Sequence, residues 1–173
     1  ERLQTFGVST VHLAQHERLS DYAPEAWAQS VVELMGTLKP QAVMAAASER
    51  GSEWMAHVAA RTSLPLAANC VDVQPINPYL VTRWRWGGSL LEEARLEGTV
   101  KLLTVAPHAV QPEPASTTAD VTIVTFTPAL ADKDFRVRIV RRVEAVAGSV
   151  SLAEARVVIG GGGEDVSEGA RLR

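Results

Sequence analysis

The first third of the chain alternates between two hydrophobic periods. Gly7 to Ala14 alternates apolar and polar residues, the period of a short strand. Asp21-Tyr-Ala-Pro24-Glu25 then opens a helix, because proline costs little at a first helical position and Glu25 suits the positive end of the dipole. Trp27, Val31, Leu34, Met35 and Leu38 follow at three- and four-residue spacing, which predicts one buried face. Lys39-Pro40 ends the helix, since proline disfavours helical geometry in the residue before it. Gln41 to Ala47 is a continuous apolar run of the kind found in parallel strands. Ser48 to Ser52 reads as a turn, Glu53 to Ala60 as a second helix with Trp54, Val58 and Ala59 inward, and Leu64 to Ala68 as the next strand. Strand–helix–strand–helix–strand with short loops predicts an α/β fold: three layers, a mostly parallel sheet with helices on both faces.

After Cys70 strands follow strands, which predicts an antiparallel, strand-rich second half. Tyr79 to Trp86 is β-rich and Gly87-Gly88 breaks it. Leu90 to Leu96 has helical propensity, so it is a strand only where neighbours pair with it. Val100 to Ala106 and Val121 to Thr127 read as strands. Phe135 to Val143, alternating apolar residues with arginine, reads as a strand with one wet face. Gln111 to Thr118 is a loop and Ala147-Gly-Ser a linker. Val157 to Ile159 is a short strand running into Gly160 to Gly163.

Composition narrows the classes. At 173 residues, 46% hydrophobic and 21% charged, the chain can bury a core without staples. Its net charge is −3 and no basic stripe stands out, which argues against nucleic acid as the main partner. No apolar run reaches the ~18 residues a membrane span needs, so no membrane insertion is expected. Cys70 is the sole cysteine, which excludes an internal disulfide and favours a cytoplasmic setting. The absence of an initial methionine, and a glycine-rich end with little behind it, lead us to expect a piece of something larger.

Candidate chemistry is sparse. The glycine run lets backbone N–H groups approach a pyrophosphate at a helix start, but four glycines equally suit a flexible linker, and Glu164 and Asp165 would repel a phosphate beside them. Arg83-Trp84-Arg85-Trp86 could stack bases, though a half-buried strand facing solvent or a protein partner fits the acidic balance better. His12, His16, His57 and His108 lack the spacing of a metal set, and Ser48, Ser52 and Ser89 lack a nucleophile context. Cys70 reads as a small buried residue rather than a reactive thiol. No catalytic machinery shows itself.

Element order and local phrases together resemble the α subunit of the electron transfer flavoproteins. Three stretches carry the resemblance: Tyr22-Ala-Pro-Glu25 with Lys39 to Met44 and Glu49 to Arg61; Thr82-Arg83 through Trp86-Gly-Gly-Ser-Leu with Lys101 to Pro107; and Arg156-Val-Val-Ile-Gly-Gly-Gly-Gly163. The resemblance covers nearly the whole chain. It implies that residues 1–150 form the N-terminal α/β domain without its first strands. It implies that residues 151–173 begin a second, Rossmann-like FAD domain. It implies FAD as cofactor, Gly161, Gly162 and Gly163 as close backbone contacts to it, and a β-subunit partner. The role implied is that of an electron carrier between dehydrogenases and a downstream acceptor, rather than a self-standing catalyst. Two departures bear on the flavin. Where the family's glycine loop carries an arginine this chain has Gly163, followed by Glu164 and Asp165; where the family's strand ends in Arg-Pro, this chain has Ala106-Pro107. The chain alone is therefore expected not to hold FAD tightly. The alternative is a cofactor-free docking domain that pairs with a sister subunit through the Arg83 to Trp86 strand and the Val121 to Val143 region. A nucleotide-binding regulatory domain, suggested only by the parallel-sheet opening, is a third reading.

Overall fold

The computed structural model describes residues 3–116, 120–142 and 155–158. The chain divides into two compact units, Glu1–Ile139 and Val140–Arg173. In the first, the α/β class expected from the pattern is present. Strands β1 (Thr10–Ala14), β2 (Ala42–Ala46), β3 (Leu66–Gln74), β4 (Tyr79–Arg85), β5 (Leu90–Leu96), β6 (Lys101–Val105) and β7 (Thr122–Phe126) accompany helices α1 (Pro24–Leu38) and α2 (Glu49–Thr62). Five strands form one sheet in the order β2-β6-β3-β4-β5, and β1 pairs with β7 in a separate parallel ribbon. The β2, β6 and β3 pairings are parallel, whereas β3–β4 and β4–β5 are antiparallel. This is the expected change of character, and it takes place within β3.

Both helices begin and end as their residues dictate. Pro24 and Glu25 open α1, and Lys39, in a left-handed conformation, closes it by donating its N–H to Met35 O at 3.0 Å. Helix α2 starts earlier than expected, at Glu49. Ser48 caps it by accepting from Gly51 N at 3.1 Å, so the anticipated turn is the first turn of the helix. A Cβ at Gly51 would lie 2.0 Å from Ala46 O, so glycine is what lets α2 sit against the end of β2.

The core differs from expectation in its layers. Ala28 and Met35 of α1, Met55 and Val58 of α2 and Leu102 of β6 form one buried cluster, joined by Val43, Ala45 and Leu66. Ala67, Cys70, Val81, Leu96 and Leu103 form a second cluster made of strand residues alone. Neighbours such as Leu102 and Leu103 point to opposite faces. Both helices therefore lie on one face of the sheet, and among the described residues no helix covers the other. Met44, on the uncovered face at the β2 edge, is 65% exposed. The inward stripe of α1 is also shifted: Leu38 is exposed, while Trp27 is half-buried with its ring edge-on to Tyr22 at 4.9 Å.

Leu90–Leu96 is a strand, not a helix, because its neighbours pair with it. Leu91 stands opposite Trp84 and Glu92 opposite Arg83, and the Arg83 Nε–Glu92 Oε2 distance is 2.8 Å. Among the described residues 135–142 the strand expected at Phe135 to Val143 is absent. Asp132–Phe135 is a short 3₁₀ turn, and 136–142 carry no helix or strand. Burial explains this. Phe135 leaves the alternation to pack with Ala23 and Ala26, and Asp134 is held by Arg61 at 2.7 Å and by Ala131 N at 2.9 Å.

In the second unit, 140–142 and 155–158 are described and carry no helix or strand, so Val157 and Val158 are not in the short strand expected there. The linker at Ala147 and the glycine run at 160–163 lie outside the described residues.

Candidate functional site

Strand β3 bends where it changes partners. Its pairing with β6 shifts register between Ala67 and Cys70, and its pairing with β4 between Cys70 and Asp72. Asn69 occupies the bulge with φ 58°, and its N–H donates to Thr104 Oγ1 at 3.0 Å. Thr104 is fully buried, so the hydroxyl that anchors the bulge is itself fixed by packing. Beside the bulge lies a cavity of about 550 Å³, lined by Ala68 and Asn69, by Trp84 and Arg85 at the end of β4, by Trp86 to Gly88 after it, and by Ala106 and Pro107 after β6. It lies beside the carboxyl end of parallel strand β6, the side on which open α/β sheets bind ligands.

Backbone strain marks the same place. Five described residues other than glycine have positive φ. Lys39 and Ser63 close the two helices, a routine use of that conformation. Asn69, Trp86 (φ 52°) and His108 (φ 61°) are the rest; the first two line the cavity and His108 follows Pro107. Left-handed backbone at a bulky residue such as tryptophan is strained and concentrates at functional sites. Trp86 is also 82% exposed, an indole in water where burial would be favourable.

The two arginines of the stripe are occupied. Arg83 and Arg85 both meet Glu92 Oε2, at 2.8 and 3.2 Å. The Arg83 hydrogen bond holds the Glu92 carboxyl below the usual carboxylate range, and Arg85 adds to it.

A second charged cluster lies where α1 and α2 meet the 3₁₀ turn. Glu25 is buried and pairs with Arg136; Arg61 reaches both Asp134 and Gln29, each at 2.7 Å. Burial pushes the Glu25 carboxyl up, and the Arg136 guanidinium, helped by the Val137 backbone and His57, more than offsets it, leaving it below its ordinary value. Arg18 pairs with Asp132 at 2.8 Å and lies 3.8 Å over the Phe135 ring. These contacts tie the 3₁₀ turn to the helices, a structural task.

The residues singled out in the sequence fare differently. Gly161, Gly162 and Gly163 lie outside the described residues. Trp84, Trp86 and Ala106 come together around the cavity. Cys70 is buried beside it, and burial pushes its thiol up, against any role as a thiolate nucleophile. His16 caps a short turn by accepting from Arg18 N at 3.1 Å. Among the described residues no group of three or more His, Cys, Asp or Glu could hold a metal ion, and no helix is long and apolar enough to cross a membrane. Sequence reasoning missed Asn69; its signal was an asparagine after an apolar run, a residue type enriched at left-handed positions.

Comparison with known proteins adds what the geometry does not. A family model described as electron transfer flavoprotein domain matches residues 1–131. The chain is 26% identical over 163 residues to the electron transfer flavoprotein subunit alpha of Thermoanaerobacterium thermosaccharolyticum, covering 92% of this chain and 49% of that protein. It is 30% identical over 162 residues to Protein FixB of Bradyrhizobium diazoefficiens, covering 91% of this chain and 44% of that one. The electron transfer flavoprotein subunit alpha of Mycobacterium leprae is 29% identical over 163 residues, with 92% and 49% covered. The chain spans about half the length of the curated relatives it matches.

Proposed function

The chain belongs to the electron transfer flavoprotein domain family, and on that premise we propose that it serves in an alpha subunit that carries electrons on FAD. The observation that carries the reading is the alignment of nine tenths of this chain with alpha subunits about twice its length. In this reading a β subunit completes a heterodimer, dehydrogenases supply the electrons, and the setting is cytoplasmic. Residues 1–150 are the N-terminal domain and 151–173 the start of the FAD domain. Gly161, Gly162 and Gly163 approach the dinucleotide with bare backbone. FAD supplies the redox chemistry when bound, and the protein supplies binding and orientation. These glycines lie outside the described residues.

A second reading, a cofactor-free docking domain, draws on the β4–β5 hairpin. Trp86, Leu90 and Leu91 are exposed, and β5 is the edge of its sheet. Exposed apolar residues on an open edge suit a partner that covers them. A visible absorption spectrum of the chain co-expressed with its sister subunit separates the two. Flavin bands in a stoichiometric complex are the expected result. A colourless heterodimer refutes the carrier reading and leaves the docking domain. A colourless monomer that captures no partner refutes both.

A further inference from the structure

We propose that the cavity between the β3 bulge and the Trp84 to Gly88 turn binds the planar base of a purine nucleoside. The proposal stands on the cavity and is independent of the flavin reading. A volume of about 550 Å³ lies within the ~300–1,000 Å³ range of small-molecule sites. Trp84 and Trp86 line it, and among the described residues neither ring stacks on another ring or on a cation. A flat π-face left in water on strained backbone calls for a flat partner, and stacking on an indole is how proteins hold unpaired bases. Asn69 supplies the edge. Its side-chain amide carries a donor and an acceptor side by side, the pair that meets N6 and N7 of adenine. Its position is fixed from behind by the bond from its own N–H to Thr104 Oγ1. Among the described residues that side-chain amide makes no hydrogen bond, so both groups remain for a ligand. Gly87 and Gly88 place no side chain in the opening. No carboxylate lines the cavity, so a phosphate carried on the ribose meets no repulsion there.

The test is a calorimetric titration of the full chain with adenosine, and with uridine and riboflavin as comparison ligands. Adenosine is expected to bind saturably and more tightly than uridine. Asn69→Gly removes the amide while accepting the left-handed backbone, and Trp86→Gly removes the exposed ring on the same terms. Each is expected to weaken adenosine by about five- to a hundredfold. Trp86 is on the surface, so its variant keeps the test open if the bulge variant does not fold, as judged by circular dichroism. The proposal is overturned if adenosine shows no saturation up to its solubility limit, if affinity is unchanged in the folded variants, or if riboflavin binds and adenosine does not.

Discussion

Arg61 and Asp134 predict an asymmetry that urea denaturation can measure. Asp134 is 2% exposed and accepts from both Arg61 and Ala131 N, whereas the Arg61 side chain is 23% exposed and also bonds Gln29. Removing the arginine strands a buried carboxylate; removing the carboxylate leaves a cation that still reaches Gln29 and water. Arg61→Met should therefore cost about 3–5 kcal/mol, the range for breaking a buried pair from one side. Asp134→Ala should cost about 2 kcal/mol, for one charged hydrogen bond and an unpaired Ala131 N–H. The double variant should be more stable than Arg61→Met alone, because no buried charge is left uncompensated. Midpoints read by tryptophan fluorescence at pH 7, with equal denaturant slopes, give these differences. Acid supplies a check on sign. Burial pushes the Asp134 carboxyl up, but Ala131 N–H and Arg61 hold it below its ordinary value of 3.8. A depressed carboxylate contributes stability above its unfolded pKa and loses it as pH falls through the folded one. In Arg61→Met burial acts with less opposition, so that variant's deficit should shrink as the pH is lowered from 7 toward 4. An Asp134→Ala variant as unstable as Arg61→Met, or a double variant whose cost equals the sum of the singles, would refute the reasoning.

Two other substitutions or probes test the packing. Gly51→Ala places a Cβ 2.0 Å from Ala46 O, so despite about 1 kcal/mol of helix propensity it should lower stability by roughly 1–3 kcal/mol in thermal melts; an unchanged or raised melting temperature would show that α2 is not held against β2. Cys70 is buried and its thiol pushed up, so labelling by a thiol reagent at pH 8 should be slow in the native chain and immediate in denaturant. Native labelling as fast as that of a free thiol would place Cys70 at the surface.

Period and punctuation made much of the fold legible. The α1 boundaries followed from Pro24 and from Lys39-Pro40, and the change to antiparallel pairing after Cys70 followed from strands succeeding strands. These are local properties: each residue's conformational preference acts wherever it stands. The family, too, was legible from element order and short phrases, and the match over residues 1–131 bears it out. What sequence could not decide was set by partners distant along the chain. Leu90–Leu96 has helical propensity and becomes a strand because Trp84 and Arg83 stand opposite it. Phe135 alternates like a strand and becomes a turn because Ala23, Ala26 and Arg61 claim its neighbourhood. Both helices share one face because Leu102 and Leu103 point to opposite sides of β6 and the helices pack on the Leu102 side alone. The cavity is the clearest case. Trp86 and Ala106 each stand out in the sequence for separate reasons and Asn69 does not, and nothing in the sequence joins the three. They meet where β3 shifts register, at a bulge whose Asn69 N–H bonds to Thr104 in the core of β6. Local preferences were enough for the bounds of α1, for the strand-rich half after Cys70 and for the family. The tertiary structure decided which faces meet and where space remains, since both depend on packing between residues that are far apart in the chain.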